Sequence, residues 1–197
     1  MIKYSIVKSG LLLLIFTAVS IFFVSLTQYS TKEQIKYNED QLLIKRLGEL
    51  VSGYDNNILQ DKFSKNINIH GTAQDVNIYP AKLNRVVFAY LIEHTYPNGY
   101  NGNIRLLTGV DVENKLLGVR VIDHKETPGL GDKIDIRKSN WIEQFRGLSL
   151  SNPSRSEWKV KRDGGVFDTF TGATITPRAI VSASYQVLEY FSKHDIE

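Results

Sequence analysis

The 197-residue sequence predicts an α+β domain, an antiparallel sheet with flanking helices, preceded by one N-terminal transmembrane helix. Three observations predict it. Residues 9–31 carry no charge and are mostly apolar. Strand-like stretches with turn residues between them crowd the middle of the chain. Helical apolar spacing appears at both ends of the remaining body. At 42% hydrophobic and 23% charged, the composition is that of an ordinary globular protein.

The first element is the apolar run, with residues 10–26 at its centre. About 20 residues of helix cover a hydrocarbon layer of roughly 30 Å. Tyr29 sits where an interfacial aromatic belongs. Lys3 and Lys8 precede the run, and mixed charges from Lys32 to Asp40 follow it, so the positive-inside rule puts the N-terminus in the cytoplasm. The expected organisation is a cytoplasmic 1–8, a transmembrane 9–29 and an extracytoplasmic 30–197, in a bacterium the inner membrane and the periplasm. A cleaved signal peptide is the alternative. The run exceeds the usual apolar core of about 7–15 residues, and no A-x-A-like site follows it.

A capping box at Thr31-Lys-Glu-Gln34, followed by Ile35, Leu42, Leu43, Leu47 and Leu50, predicts a separate helix over about 32–51. Strands are expected at 67–69, 76–79 and 85–93. Residues 96–103 are rich in turn formers and read as a loop. A β-hairpin is expected from 104–112 and 115–124 around Glu113-Asn114. A short helix over 140–145 directs Trp141 and Phe145 inward, and 158–162 reads as a further strand. The last helix, 177–193, carries Ile180, Ala183, Val187, Leu188 and Phe191 on one face.

Composition excludes several chemistries. With no Cys the chain holds no disulfide, thiolate zinc site, iron–sulfur cluster, thioether haem or cysteine nucleophile. Its four His lack ligand-like spacing. Two of the 24 basic residues precede the apolar run, and the rest nearly balance the 21 acidic ones, so no nucleic-acid footprint is visible. No G-x-S-x-G elbow supports a hydrolase built on Ser182, Ser184 or Thr176.

Two loops are candidate sites. In the first, Asp168-Thr-Phe-Thr-Gly-Ala-Thr-Ile-Thr-Pro177, Pro177 fits the first helical position and places Thr176 at the N-cap. Its hydroxyl then lies at the positive helix end, near the amides of Arg178 and Ala179, a place that favours phosphate. Thr171 and Thr174 add hydroxyls, and Gly172 permits close approach or positive φ. The same pattern also serves as a plain cap. In the second, Glu126-Thr-Pro-Gly-Leu-Gly131, Gly129 and Gly131 bracket Leu130, and Thr127 and the backbone amides can face a ligand. A tight strand-to-helix turn has the same composition.

Together the loops match a pattern. Thr171-Gly-Ala-Thr-Ile-Thr176 resembles the S/T-G-A-T-x-T signature of covalent FMN-binding proteins, and Glu126-Thr-Pro-Gly-Leu-Gly131 resembles the second signature of that family. Tyr54-Asp-Asn56, Gly99-Tyr-Asn-Gly102, Ile104-Arg-Leu-Leu107 and Asp163-Gly-Gly-Val-Phe-Asp168 are similar to its Rnf/Rsx branch. The resemblance implies an electron carrier in an ion-translocating membrane complex. It implies FMN joined through its phosphate to Thr176, with Thr174 as the competing position, by a separate flavin transferase that uses FAD. Thr171, Gly172, Ala173, Glu126, Thr127, Gly129 and Leu130 complete the implied cofactor set, with Thr127 and Leu130 against the ring and Glu126 holding its loop. Lys161 is the candidate cation that raises the flavin potential, with Arg178 next, although an exposed strand lysine reads the same. The implied partners are the other subunits of the Rnf/Rsx complex, the transferase and the lipid bilayer. A membrane-anchored extracytoplasmic binding or assembly module without a redox cofactor is the competing expectation. A reporter fused after Glu197 is expected to be active only outside the cytoplasm; activity inside would reverse the orientation.

Overall fold

The computed structural model describes residues 2–194 and 196, with side chains from Ile6 onward. Met1 and the side chain of Lys3, both in the expected cytoplasmic stretch, lie outside the described residues, as do Asp195 and Glu197. Met1–Leu43 and Ile44–Glu197 form two compact units.

Helix α1 is continuous over Ile2–Leu50, so the expected break near residue 31 does not form. Thr31 Oγ1 instead bonds back to Thr27 O at 2.9 Å, as a hydroxyl does inside a helix. No Gly or Pro interrupts residues 11–47, and Thr31 cannot cap a helix whose backbone already runs through it. The portion Ile6–Leu50 contains a window long and apolar enough to cross a membrane. Its apolar side chains there are exposed, as membrane-facing ones would be.

The second unit is built on a five-stranded antiparallel meander: β1 (Phe63–Ile69), β2 (Thr72–Leu83), β3 (Val86–Gly99), β4 (Gly102–Asp111) and β5 (Leu116–Asp123), in that spatial order. The fold class is the expected one. The first three strands outgrow their sequence signals because backbone pairing with a neighbour extends past the residues of strand composition, while the hairpin strands lie close to the expected 104–112 and 115–124. The stretch expected as a loop over 96–103 shrinks to a tip, Tyr100-Asn101, past a bulge between Tyr96 and Gly99.

One sheet face is buried along its length and the other over part of it. On one, Ile78, Ile92, Leu106, Val119 and Val121 join the core formed with α2 (Ile175–Lys193). Ile180, Ala183, Val187, Leu188 and Phe191 are all buried, as the spacing predicts. On the other, Gly109 pairs with Gly118. A Cβ on Gly118 would lie 3.0 Å from Leu50 Cδ2, and one on Gly109 would lie 3.6 Å from Leu50 Cβ. Two adjacent residues without side chains thus make room for Leu50. Beside them Arg120 Nε binds Glu49 Oε2 at 2.8 Å, and Arg46 Nη2 binds Asp135 Oδ1 at 3.2 Å. The expected hairpin strand is only partly amphipathic because Val119, Arg120 and Val121 are all buried.

Between β5 and α2 the chain makes short 3-10 turns. Asn140–Phe145 is one of them, capped by Ser139, and it buries Trp141 and Phe145 as expected. Phe145 stacks on Phe167 at 4.7 Å, and Trp158 lies 5.3 Å from Phe167. The expected strand at 158–162 reduces to one bridge, Val160 to Phe167. The segment doubles back at once, with Gly165 so close to Lys159 O that any Cβ would overlap it.

A polar chain crosses the main core. His94 Nδ1 lies 3.0 Å from His70 Nε2, and His94 Nε2 lies 2.9 Å from Thr108 Oγ1. His70 Nδ1 lies 3.2 Å from Gln186 Oε1 on α2. Burial pushes His70 down to about 4 against the opposing Gln186 bond. Burial, and then the neighbouring His70, hold His94 well below the usual histidine range. Both rings are therefore neutral in the folded protein while free histidine takes a proton near pH ~6.5. Below that pH the unfolded chain binds more protons, so stability falls as the medium acidifies toward His70's folded value. Melting of the full chain should drop between about pH 7 and pH 5, and His94→Gln should lower the pH 7 midpoint while flattening that drop. An equally steep drop in the variant would remove His94 as its cause.

Candidate functional site

Three segments distant in sequence converge beside the start of α2. The first is the loop after β5. Thr127 O accepts the amides of Leu130 and Gly131, each at 3.1 Å, which curls residues 127–131 into a tight turn. The second is the β3–β4 tip. Asn101 Nδ2 donates to Lys125 O at 2.9 Å and to Thr127 Oγ1 at 3.3 Å. The third is the 172–176 stretch that opens α2.

Glu126 joins all three. It is 4% exposed, and a carboxylate removed from water needs hydrogen-bond donors. Its Oε1 accepts the Asn101 backbone amide at 3.1 Å, and its Oε2 accepts a hydrogen bond from Thr176 Oγ1. Thr176 is itself buried, at 1% exposure. Gly131 has no space for a side chain: an added Cβ would sit 2.9 Å from Thr176 Oγ1 and 3.0 Å from Glu126 Oε2. Gly172 has a φ of +82°, which disfavours any residue with a side chain, and its added Cβ would meet Leu130 Cδ2 at 3.2 Å.

These residues enclose a cavity of about 320 Å³. It is lined by Tyr100, by Glu126, Thr127, Leu130 and Gly131, and by residues 172–176. Tyr100, Leu130 and Ile175 keep exposed apolar surface at its wall. Apolar surface with a few convergent polar groups is the usual make-up of a small-molecule site. It suits a flat aromatic ring beside a phosphate. Among the described residues that line it, none is Lys or Arg.

The structure brings most sequence-predicted site residues to this cavity: Glu126, Thr127, Leu130, Gly172, Ala173, Thr174 and Thr176. Thr171 and Gly129 belong to the same two loops but do not line it. The helix start differs from expectation. α2 begins at Ile175, with Thr174 at the cap position and Thr176 second in the helix. Pro177 is therefore third, which the first turn tolerates because its missing N–H needs no partner there. The amides left without an intrahelical acceptor are those of Thr174, Ile175 and Thr176, not those of Arg178 and Ala179. Lys161 sits in a 3-10 turn, mostly exposed, with Nζ 2.6 Å from Asp168 Oδ1. Arg178 is held by Asp163 at 2.6 and 2.7 Å. Neither lines the cavity. Sequence reasoning missed Tyr100, Gly131 and Ile175 as wall residues. For Tyr100 the available signal was the Gly99-Tyr-Asn-Gly102 stretch, which reads locally only as a turn.

Comparison with known proteins gives a consistent result. Residues 99–189 match the FMN-binding domain family, and residues 1–50 match the RnfG N-terminal region. An ion-translocating oxidoreductase complex subunit of this RnfG type from Vibrio atlanticus (strain LGP32) is 42% identical over 97% of this chain and 92% of its own length. Its counterpart from Vibrio cholerae serotype O1 (strain ATCC 39541) is 43% identical over 95% of this chain and 90% of its own. The one from Pseudoalteromonas atlantica is 44% identical over 96% and 89%.

The close packing at Gly131 is open to test. Gly131→Ala should destabilise the body by about 1–3 kcal/mol through overpacking against Thr176 and Glu126, whereas exposed Thr171→Ala should leave the midpoint unchanged. Denaturant titration of both variants reads the difference; equal midpoints would mean the turn moves aside freely.

Proposed function

The chain belongs to the RnfG family of ion-translocating oxidoreductase complex components, and from that premise we propose that it carries electrons on one FMN esterified to Thr176. The observation that carries the reading is the shared cavity. The loops 126–131 and 171–176 lie far apart in sequence yet line one enclosure, with Thr174 and Thr176 both among its lining residues. The FMN-binding domain match, 99–189, contains all three segments of that enclosure.

The chain's own groups suit such a cofactor. The amides of Thr174, Ile175 and Thr176 at the positive end of α2 favour the single negative charge of a phosphodiester. Leu130, Ile175 and Tyr100 offer apolar surface to a ring, and Gly172 keeps the backbone beside Leu130 free of a side chain. Bound flavin would supply reversible one-electron chemistry. The protein's part is to hold it, partly shielded from water, at a set place. Thr174 also lines the cavity and is the competing attachment point. Thr176 is preferred because its hydroxyl already meets a carboxylate. Thr174 makes no side-chain capping bond.

The remaining parts of the reading follow from the family and the apolar segment of α1. The proposal puts α1 in the bacterial inner membrane, with the N-terminus cytoplasmic and the body periplasmic. It gives the chain the other members of the complex as partners and a flavin transferase for maturation.

Full-length protein co-produced with a flavin transferase should show an intact mass raised by one FMN less one water, with flavin fluorescence in the denatured band. Thr176→Ala should abolish both. Label kept in Thr176→Ala but lost in Thr174→Ala would move the attachment site. An unshifted wild-type mass would favour the cofactor-free binding or assembly module.

A further inference from the structure

We propose that the groove between α2 and residues 155–163 docks an acidic segment of another component of the complex, one that carries an apolar or aromatic side chain. The inference rests on the reading of the chain as an electron carrier, and it is independent of which residue bears the flavin.

Residues 155–163, Arg-Ser-Glu-Trp-Lys-Val-Lys-Arg-Asp, hold four cations and two carboxylates in nine positions. The whole chain carries 24 basic and 21 acidic residues, so the excess is local. This segment and α2 line a groove of about 440 Å³. Its floor is apolar and aromatic. The buried Trp158 lies 5.6 Å from the half-buried Tyr185, ring to ring. Its rim is basic, with Arg155, Lys159 and Arg178 set against Asp163 alone.

The nearby carboxylates do not neutralise that rim. Asp163 is taken by Arg178, at 2.6 and 2.7 Å. That bond, with the charges of Arg178, Arg162 and Lys159, holds the Asp163 carboxyl below its usual range against the effect of burial. Glu157 turns back on Ser154, accepting its amide at 2.9 Å and its hydroxyl at 2.7 Å. Glu189 lies 3.9 Å from Arg155 but binds Lys193 at 3.0 Å. Arg155 is 79% exposed, over the Tyr185 ring at 5.8 Å. Among the described residues, Lys159 and Arg162 make no side-chain ion pair or hydrogen bond.

A recess with an aromatic floor and unpaired cations at its edge suits a protein segment. Carboxylates meet the rim, and one side chain fills the floor as a buried anchor. Lipid headgroups would satisfy the cations but leave the floor empty. Exposed cations act chiefly by steering and orienting an oppositely charged partner. The position gives this steering a use. Arg178 follows Thr174 by one helical turn, and Thr174 lines the cofactor cavity. A partner seated in the groove is therefore beside the cofactor.

The chain has no cysteine, so Lys159→Cys places a single thiol on the rim. Full-length protein carrying that variant, labelled with a photoactivated crosslinker, is reconstituted in phosphatidylglycerol-containing nanodiscs with the complex purified from a strain lacking this chain. The crosslink should fall on an acidic peptide of another component, and Lys62→Cys should not reach that peptide. In detergent, Arg155→Glu/Lys159→Glu should bind the same complex at least about tenfold more weakly at about 0.1 M salt. Wild-type binding should weaken as salt rises. Lys62→Glu/Lys138→Glu, the same change in net charge, should bind as wild type. Crosslinks only to phospholipid or to a second copy of the chain overturn the proposal. So does a rim variant that binds like wild type, or a control that weakens equally. Arg155 and Lys159 are exposed, so their double variant should melt as wild type; if it does not, the crosslink decides. A chain that docks as described but takes up no flavin beside a flavin transferase overturns the electron-carrier reading instead.

Discussion

A carboxylate buried away from water must find donors, and in this protein the donors of Glu126 come from two other parts of the chain. The Asn101 amide arrives from the β3–β4 tip and the Thr176 hydroxyl from the start of α2. Satisfying one side chain therefore closes a cavity between three segments. Removing either donor would leave a buried acceptor unsatisfied, a cost of about 1–3 kcal/mol. The same contact that shapes the cavity sets a hydroxyl and a carboxylate against each other on its wall.

The loop that carries Glu126 is fixed at its far end as well. Just beyond Gly131 the chain reaches Asp135, whose carboxylate binds Arg46 and Arg137. Burial pushes the Asp135 carboxyl up, but the two guanidinium groups outweigh that and hold it below its usual range. Arg46 also binds Glu49, which binds Arg120, which binds Glu143. Such buried ion pairs are weak evidence for net stability, since desolvation offsets attraction, but breaking one partner away is costly. They hold residues 46–50 against Arg120 and beside the Gly109–Gly118 pair.

Much of the fold was legible locally. The uncharged run, the alternation of the middle strands and the apolar stripe of α2 are periodic signals that neighbouring residues carry by themselves. The errors were also local ones. Thr31 looked like a cap because a capping box needs only four residues, yet the run on both sides favours helix strongly enough to pass through it. Pro177 looked like a first helical residue, but the first turn has room for it two places later. Residues 158–162 had strand composition and found only one bridging partner, Phe167.

By itself the sequence determined the element types, the apolar segment, the two loop signatures and the threonines within them, because those depend on residues adjacent along the chain. Only the tertiary structure decided which groups share a cavity. It turned the Tyr100-Asn101 tip toward the loop after β5, left Lys161 and Arg178 on carboxylates elsewhere, and pressed Thr176 against a glutamate 50 positions earlier. Contacts of that range are set by the meander's register and by where α2 docks on the sheet, and no local pattern encodes either.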